Sequence, residues 1–528
     1  MGLAELAYAS PFYRLLLAGP APSSLRCAPP APWPGDKAHG KSIVDGTIRC
    51  AGQAVRMAGL DWNAADLTAD ALDELHGFNW LSDLAALGGD RAAGTARRLI
   101  ESWIGQHAHW TPAAWSPATL GTRISAWLAN AKFVGRGEDD PLWRRMLSSL
   151  ARQMRHLGRV AGGGPSGIGR FRELRGLVYG AACGIGPARR LDHALHVLLR
   201  EIKRQVLGDG GHVARSPAGH LEVLEALVDI RTMLLLAQHR PPMDLISAID
   251  RMAPVARFYR HGDGRFALFN DSAEGDGDRI NAVLARADAG GRPPDSAAGF
   301  ERMTAGATVL IADVGAPPPQ GFDERAHAGS SSFEMSVGRD RIIVNCGALT
   351  GADSGWRRAQ RATAAHSTLT VDDTNSSELI DAGGFGRKAA VQSVRESADG
   401  AIWITASHDG YAANFGLVHR RRLYLSSDGN DLRGEDSLTG AHRGRFVVRF
   451  HLHPDVRASV VQNGLAVLMR AGSGAAWRLQ ATGGALELTE SVYLDGQTRR
   501  RTEAVALSGV LDGNGAVVKW AIKRAAGI

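Results

Sequence analysis

Cysteine is scarce in this chain of 528 residues. Its four cysteines, Cys27, Cys50, Cys183 and Cys346, lie far apart and no Cys-x-x-Cys spacing occurs. Neither a zinc knuckle nor a disulfide framework is therefore expected. Long apolar runs are missing too: none reaches the roughly 20 residues of a membrane-spanning helix. The first residues, MGLAELAYASPFYRLLLAGPAP, have no early basic region, and Ser, Pro and Arg interrupt their apolar stretch. No signal peptide is expected, and the cytoplasm is the default compartment on this ground.

The rest of the composition is that of a globular protein, with 44% hydrophobic and 22% charged residues. A chain this long exceeds a single ordinary core, so two or three domains are expected. The 64 glycines imply many turns. A net charge of +7 fits an acidic partner such as an anionic polysaccharide, nucleic acid or anionic lipid, and equally fits a composition rich in arginine. Charge alone supports nucleic acid, and none is expected as partner.

Along the chain the pattern changes period. Residues 1–60 are rich in Pro and Gly and read as an extended lead-in with short strands. From residue 61 to about 290 the periodicity is helical. Ile124, Trp127, Leu128 and Ala131 recur at i, i+3, i+4, i+7, as do Leu191, Leu195, Leu198, Ile202 and Val206, and Leu224, Leu227, Val228 and Met233 continue the pattern. The stretch from 260 to 300 is turn-rich. Over 300–528 the period becomes two, in segments such as RIIVN, AIWITAS, RRLYLSS, RFVVRFHLH and AVVKWAI separated by turn signals. Many short strands at this spacing predict an antiparallel sandwich. The fold class is α+β multidomain, helical first and sheet second.

The segment 323–381 concentrates the chemistry. His327 and His366 lie on separate strand-like segments. Between them FEMSV, a turn at Gly338-Arg339-Asp340 and RIIVNCG form a hairpin that would bring His327, Asn345 and His366 together.

These residues resemble the heparinase II/III-like polysaccharide lyases. RAHAGSSSFEMS is similar to the family's His-x-His-Ala-Asp segment before a Leu-Ser-Phe-Glu strand. RIIVNCG is similar to the next strand, which ends in Asp-x-Gly, and AAHSTLTVDD to the Ser-His-Asn-Thr segment. QVLGDGGHVARSPAGH, at 205–220, is similar to the family's Arg-Ser-Pro-x-Tyr-His region. The resemblance implies an incomplete (α/α) toroid followed by an antiparallel β-sandwich, with a cleft acting on a uronic acid-containing glycan. It implies β-elimination, in which a donor neutralises the uronate carboxylate, a base removes the adjacent proton and an acid protonates the leaving oxygen. It also implies a periplasmic or envelope setting, and a metal such as zinc held by His327, Asn345 and His366.

Several family positions are changed. Gly219 stands where the resemblance places the tyrosine, Arg325 where it places the first histidine, Gly329 where it places the Asp and Asn345 where it places the ligand Asp. On the lyase reading His220 is the base and Tyr411 the acid. Arg215 or Arg325 pairs with the substrate carboxylate, with Arg170 and Arg172 behind them. Trp115, between prolines, offers a stacking face, against the commoner use of Trp in a core. Asn345 holds the two imidazoles by hydrogen bonds if no metal binds, since zinc prefers His, Cys or carboxylate. The alternative to a lyase is a non-catalytic glycan-binding or envelope assembly protein with a degenerate site.

Overall fold

The computed structural model describes residues 3–137, 139–163, 167–381 and 383–525. Packing divides the chain into two compact units: Met1–Gln205 with Glu222–Ile249, and Val206–Leu221 with Asp250–Ile528. No helix of the described residues is long and apolar enough to cross a membrane.

The first unit is helical. Its lead-in is not extended throughout, because it holds the helices Leu3–Ala9, Pro11–Leu17 and Lys37–Val44 and the hairpin of Thr47–Cys50 with Gln53–Arg56. Pro11 follows the Ser10 cap at the start of its helix, where a missing N–H costs nothing and the fixed φ favours the turn. The longer helices begin in the same way. Ser116 accepts from the Thr119 N–H ahead of Pro117, and Asp140 accepts from the Leu142 N–H ahead of Pro141.

The periodic apolar residues face inward as expected: Ile124, Trp127, Leu128 and Ala131 are all buried, and so are Leu191, Leu198 and Ile202. Trp62, Trp80, Trp103 and Trp127 belong to this core. Helices Pro117–Ala129 and Ile168–Ala182 meet backbone to backbone. A Cβ on Gly121 would lie 2.2 Å from the Arg172 carbonyl oxygen, and one on Gly176 would lie 2.4 Å from the Gly121 Cα. Only glycine at both places allows that approach.

The second unit carries two sheets. One has eight strands and the other ten. All pairings are antiparallel except Gly347–Leu349 with Leu494–Gly496. Inward-facing residues of both sheets share one core, in which Phe333 stacks on Trp520 with ring centroids 5.6 Å apart. The turn-rich stretch before the sheets also contains the helix Gly277–Ala287, capped by the Asp276 side chain. The expected hairpin forms from Phe333–Val337 and Asp340–Val344, with Val337 paired to Asp340.

Candidate functional site

Neither His327 nor His366 lies on a strand. His327 sits in an irregular segment before Phe333–Val337, and His366 follows the single turn Thr363–Ala365 and precedes Leu369–Val371. The flanking Ala, Gly and Ser residues provide no β-branched run to extend the backbone, and Ser331 takes a left-handed φ of 62°. Asn345 closes the strand Asp340–Val344. The fold nevertheless brings the three side chains to one place.

Their hydrogen bonds run in one direction. The Asp271 N–H donates to His327 Nε2 at 3.0 Å. His327 Nδ1 therefore carries the proton and donates to His366 Nε2 at 3.1 Å. His366 Nδ1 in turn donates to the Ala362 carbonyl at 2.9 Å. Both rings are thus neutral and fully engaged. Burial agrees with this: it holds His327 well below its ordinary value, with His366 and Arg361 adding to the effect, and pushes His366 down to about 4.

The surrounding groups fasten this pair. Asn270 accepts the His327 N–H at 2.9 Å and donates to the Arg215 carbonyl at 2.9 Å. Asn345 Oδ1 accepts the Ser367 N–H at 2.9 Å. Arg361 donates to the Ala326 carbonyl at 2.9 Å and the Gly384 carbonyl at 2.7 Å, tying two loops together. Glu334 is fully buried. It accepts from the N–H groups of Leu268 and Asn345 at 3.1 and 2.9 Å and faces His261 Nε2 at 3.0 Å. A Cβ on Gly329 would lie 2.8 Å from His366 Cδ2, so the ring occupies the space a larger residue would need.

The expected ligand set does not fit a zinc ion. His327, His366 and Asn345 include no carboxylate, their acceptor atoms already take N–H donors, and the Arg361 cation lies within electrostatic reach. Among the described residues no group of three or more His, Cys, Asp or Glu is disposed to hold a metal.

Residues 292–521 match the family model for the heparinase II/III-like C-terminal domain. FtsZ-localized protein C of Caulobacter vibrioides is 33% identical over 542 residues, covering 98% of this chain and 93% of its own length. The chain belongs to the heparinase II/III-like family. Its fold is that of solved family structures. Heparinase III superposes with a TM-score of 0.78 at 15% identity, over 93% of this chain and 85% of its own. The heparan sulfate lyase HepC of Pedobacter heparinus gives 0.61 at 16% identity, over 99% and 87%. The architecture is an incomplete toroid followed by an antiparallel sandwich, and the protein is polysaccharide lyase-like.

Within this heparinase II/III-like chain the other candidates are placed differently from expectation. His220 lies within a helix. The helix starts at Pro217, and His220 is fully buried in the first turn, with Nε2 donating to the Met252 carbonyl at 2.9 Å. Burial pushes its pKa down to about 4. A ring so enclosed does not reach a substrate proton, which corrects its assignment as base. Tyr411 is likewise fully buried in the sandwich core and donates to the Leu369 carbonyl at 2.7 Å, so it is no acid.

Arg215 is a clip rather than a substrate ligand. It donates to the carbonyls of Ala298 at 2.6 Å, Ala316 at 2.7 Å and Gly299 at 3.0 Å, and pairs with Asp313 at 2.6 Å. Arg170 is buried against Glu173 at 2.7 Å. Arg172 bridges Asp73 at 2.6 Å and Glu222 at 2.7 Å, and both carboxylates hold its pKa above the ordinary range. Trp115 is a core residue whose Nε1 donates to the His107 carbonyl at 3.3 Å, so it offers no stacking face. Arg325 alone of these is well exposed, at 67% of its side chain, with Asp271 3.3 Å away.

Sequence reasoning missed Asp271, Asn270, Glu334 and Arg361. The Phe-Glu of FEMSV was the available signal for Glu334, since a carboxylate on an inward-facing strand position must find a partner.

Proposed function

We propose that this heparinase II/III-like protein holds an acidic glycan without cleaving it. β-Elimination needs a base with a free lone pair at the sugar. The observation that carries this reading is the mutual engagement of His327 and His366, each buried, neutral and bonded through its ring nitrogens. Gly219 has no proton to transfer, and His220 and Tyr411 are enclosed. The lyase-like fold and the net charge of +7 support retention of an acidic polymer. Incubation with a panel of uronate polymers tests this. The expected outcome is retention on the polymer with no rise in absorbance from an unsaturated product. Steady product formation from any polymer, abolished by His220→Ala, would instead establish the lyase reading.

A second reading rests on the relative named FtsZ-localized protein C, whose likeness spans nearly the whole chain. On it, this protein acts where FtsZ assembles. A fluorescent fusion is then expected to follow FtsZ through the cell cycle, and a distribution independent of FtsZ would remove the idea.

A further inference from the structure

The four cysteines are scattered in the sequence, but the helical unit brings two of them together. Cys27 Sγ and Cys183 Sγ lie 3.8 Å apart, across 156 positions of the chain. Neither is in a disulfide. The Cys27 thiol donates to Cys183 Sγ or to the Ala182 carbonyl, also at 3.8 Å. The backbones meet as well, since the Arg26 N–H donates to the Cys183 carbonyl at 3.0 Å. Gly184, at a φ of 87°, makes this approach possible: a Cβ there would lie 3.0 Å from Arg26 Cγ. The other two thiols are buried elsewhere, Cys50 near Glu74 and Cys346 against His451 and Ser491.

The paired positions differ in access and in freedom to move. Cys183 is fully buried at the end of the helix Ile168–Ala182, with its N–H bonded to the Tyr179 carbonyl at 3.0 Å. Burial pushes its thiol pKa up, so it keeps its proton and is a poor first nucleophile. Cys27 is half-buried and lies in the irregular stretch between the helices Pro11–Leu17 and Lys37–Val44. A disulfide requires the sulfurs to close to roughly 2.05 Å. Rotation of the Cys27 side chain and a small shift of its irregular segment supply that movement without disturbing the helix.

We infer that Cys27 and Cys183 form a site of reversible oxidation by a small peroxide, which joins them in a disulfide and clamps the lead-in to the end of the helix Ile168–Ala182. The Cys27 thiolate attacks one oxygen of hydrogen peroxide. The O–O bond breaks, leaving a sulfenic acid on Cys27 and, after proton uptake, one water. The Cys183 sulfur then attacks the Cys27 sulfur, and its proton leaves with the departing hydroxide as a second water. Two thiols and one peroxide thus give one disulfide and two waters, and a thiol reductant reverses the change. The cross-link closes a loop across 156 positions and restricts the unfolded chain.

The test treats the reduced full chain with dilute hydrogen peroxide, alkylates it and weighs it intact. The expected result is loss of two hydrogens per chain, a tryptic peptide pair joined through Cys27 and Cys183, reversal by dithiothreitol and a denaturation midpoint raised in the oxidised form. Cys27→Ser changes a half-buried side chain by one atom, keeps the fold and should give no cross-link. Cys183→Ser should stop at the Cys27 sulfenic acid, which dimedone traps. Oxygen gained on Cys27 without loss of hydrogen, a disulfide between two chains, or a cross-link through Cys50 or Cys346 would overturn the inference. So would an unchanged midpoint, or dimedone labelling of the unsubstituted chain as complete as that of Cys183→Ser.

Discussion

Two polar clusters of the sheet unit are built in opposite ways. Around His327 and His366 the partners are backbone groups and a second neutral ring, so the cluster carries no charge of its own. Around Glu274 the partners are ions, and a carboxylate, guanidinium groups and a phenol hold one another. In the first cluster all four ring nitrogens of the two histidines are taken by groups of the protein. The second is a web of charges in which the Glu274 carboxylate is met by Tyr493, Arg265 and His453. The histidine pair is thus a neutral fastening and the Glu274 cluster an ionic one.

The sharpest way to break this contrast is Glu274→Ala. Removing one partner of a buried ionic cluster should cost about 3–5 kcal/mol, read from chemical denaturation. A loss below 1 kcal/mol would mean that the cluster is solvated and the contrast unfounded. His366→Ala should cost less, about 1–3 kcal/mol, because it leaves His327 Nδ1 and the Ala362 carbonyl without partners but strands no charge.

Acid sharpens the same contrast. The folded-state pKa of His366 is about 4, below the ordinary 6.5. The unfolded chain therefore binds the extra proton first, and stability falls as pH drops from about 6.5 to about 4, remaining flat above. Glu274, held low by His453, Arg341, Tyr493 and Arg265 against the opposing effect of burial, gives up its stabilisation only below the ordinary carboxylate value of 4.5. Between those limits His366→Gln should flatten the pH dependence by up to about 1.4 kcal/mol per pH unit, seen in denaturation midpoints across the range. An unchanged slope would show that the ring is protonated in the folded protein. The smallest effect belongs to Arg325→Ala, an exposed pair expected to change stability by less than about 1 kcal/mol.

Much of the fold was legible. Periods of 3.6 and 2 marked the helices around Ile124 and Leu198 and the strands from Arg341 to Ile522, because one face of each is buried. The hairpin expected between His327 and His366 forms, and it brings Asn345 to their neighbourhood. Burial of individual side chains was not legible. The start of the helix that holds His220 is set by Pro217, which at the first helical position is a starter rather than a breaker. Tyr411 and Trp115 sit in turn-like sequence, yet their polar atoms find carbonyls 42 and 8 residues away in the chain. The Glu274 cluster includes a hydrogen bond from Tyr493 across 219 residues, a pairing that no local pattern encodes.

The contact between Gly329 and the His366 ring limits what position 329 can hold. An aspartate there would meet the imidazole at its first side-chain carbon, 2.8 Å from Cδ2. A carboxylate therefore cannot be added at 329 while the ring keeps its present place, and any such variant has to rebuild the His327–His366 hydrogen bond elsewhere.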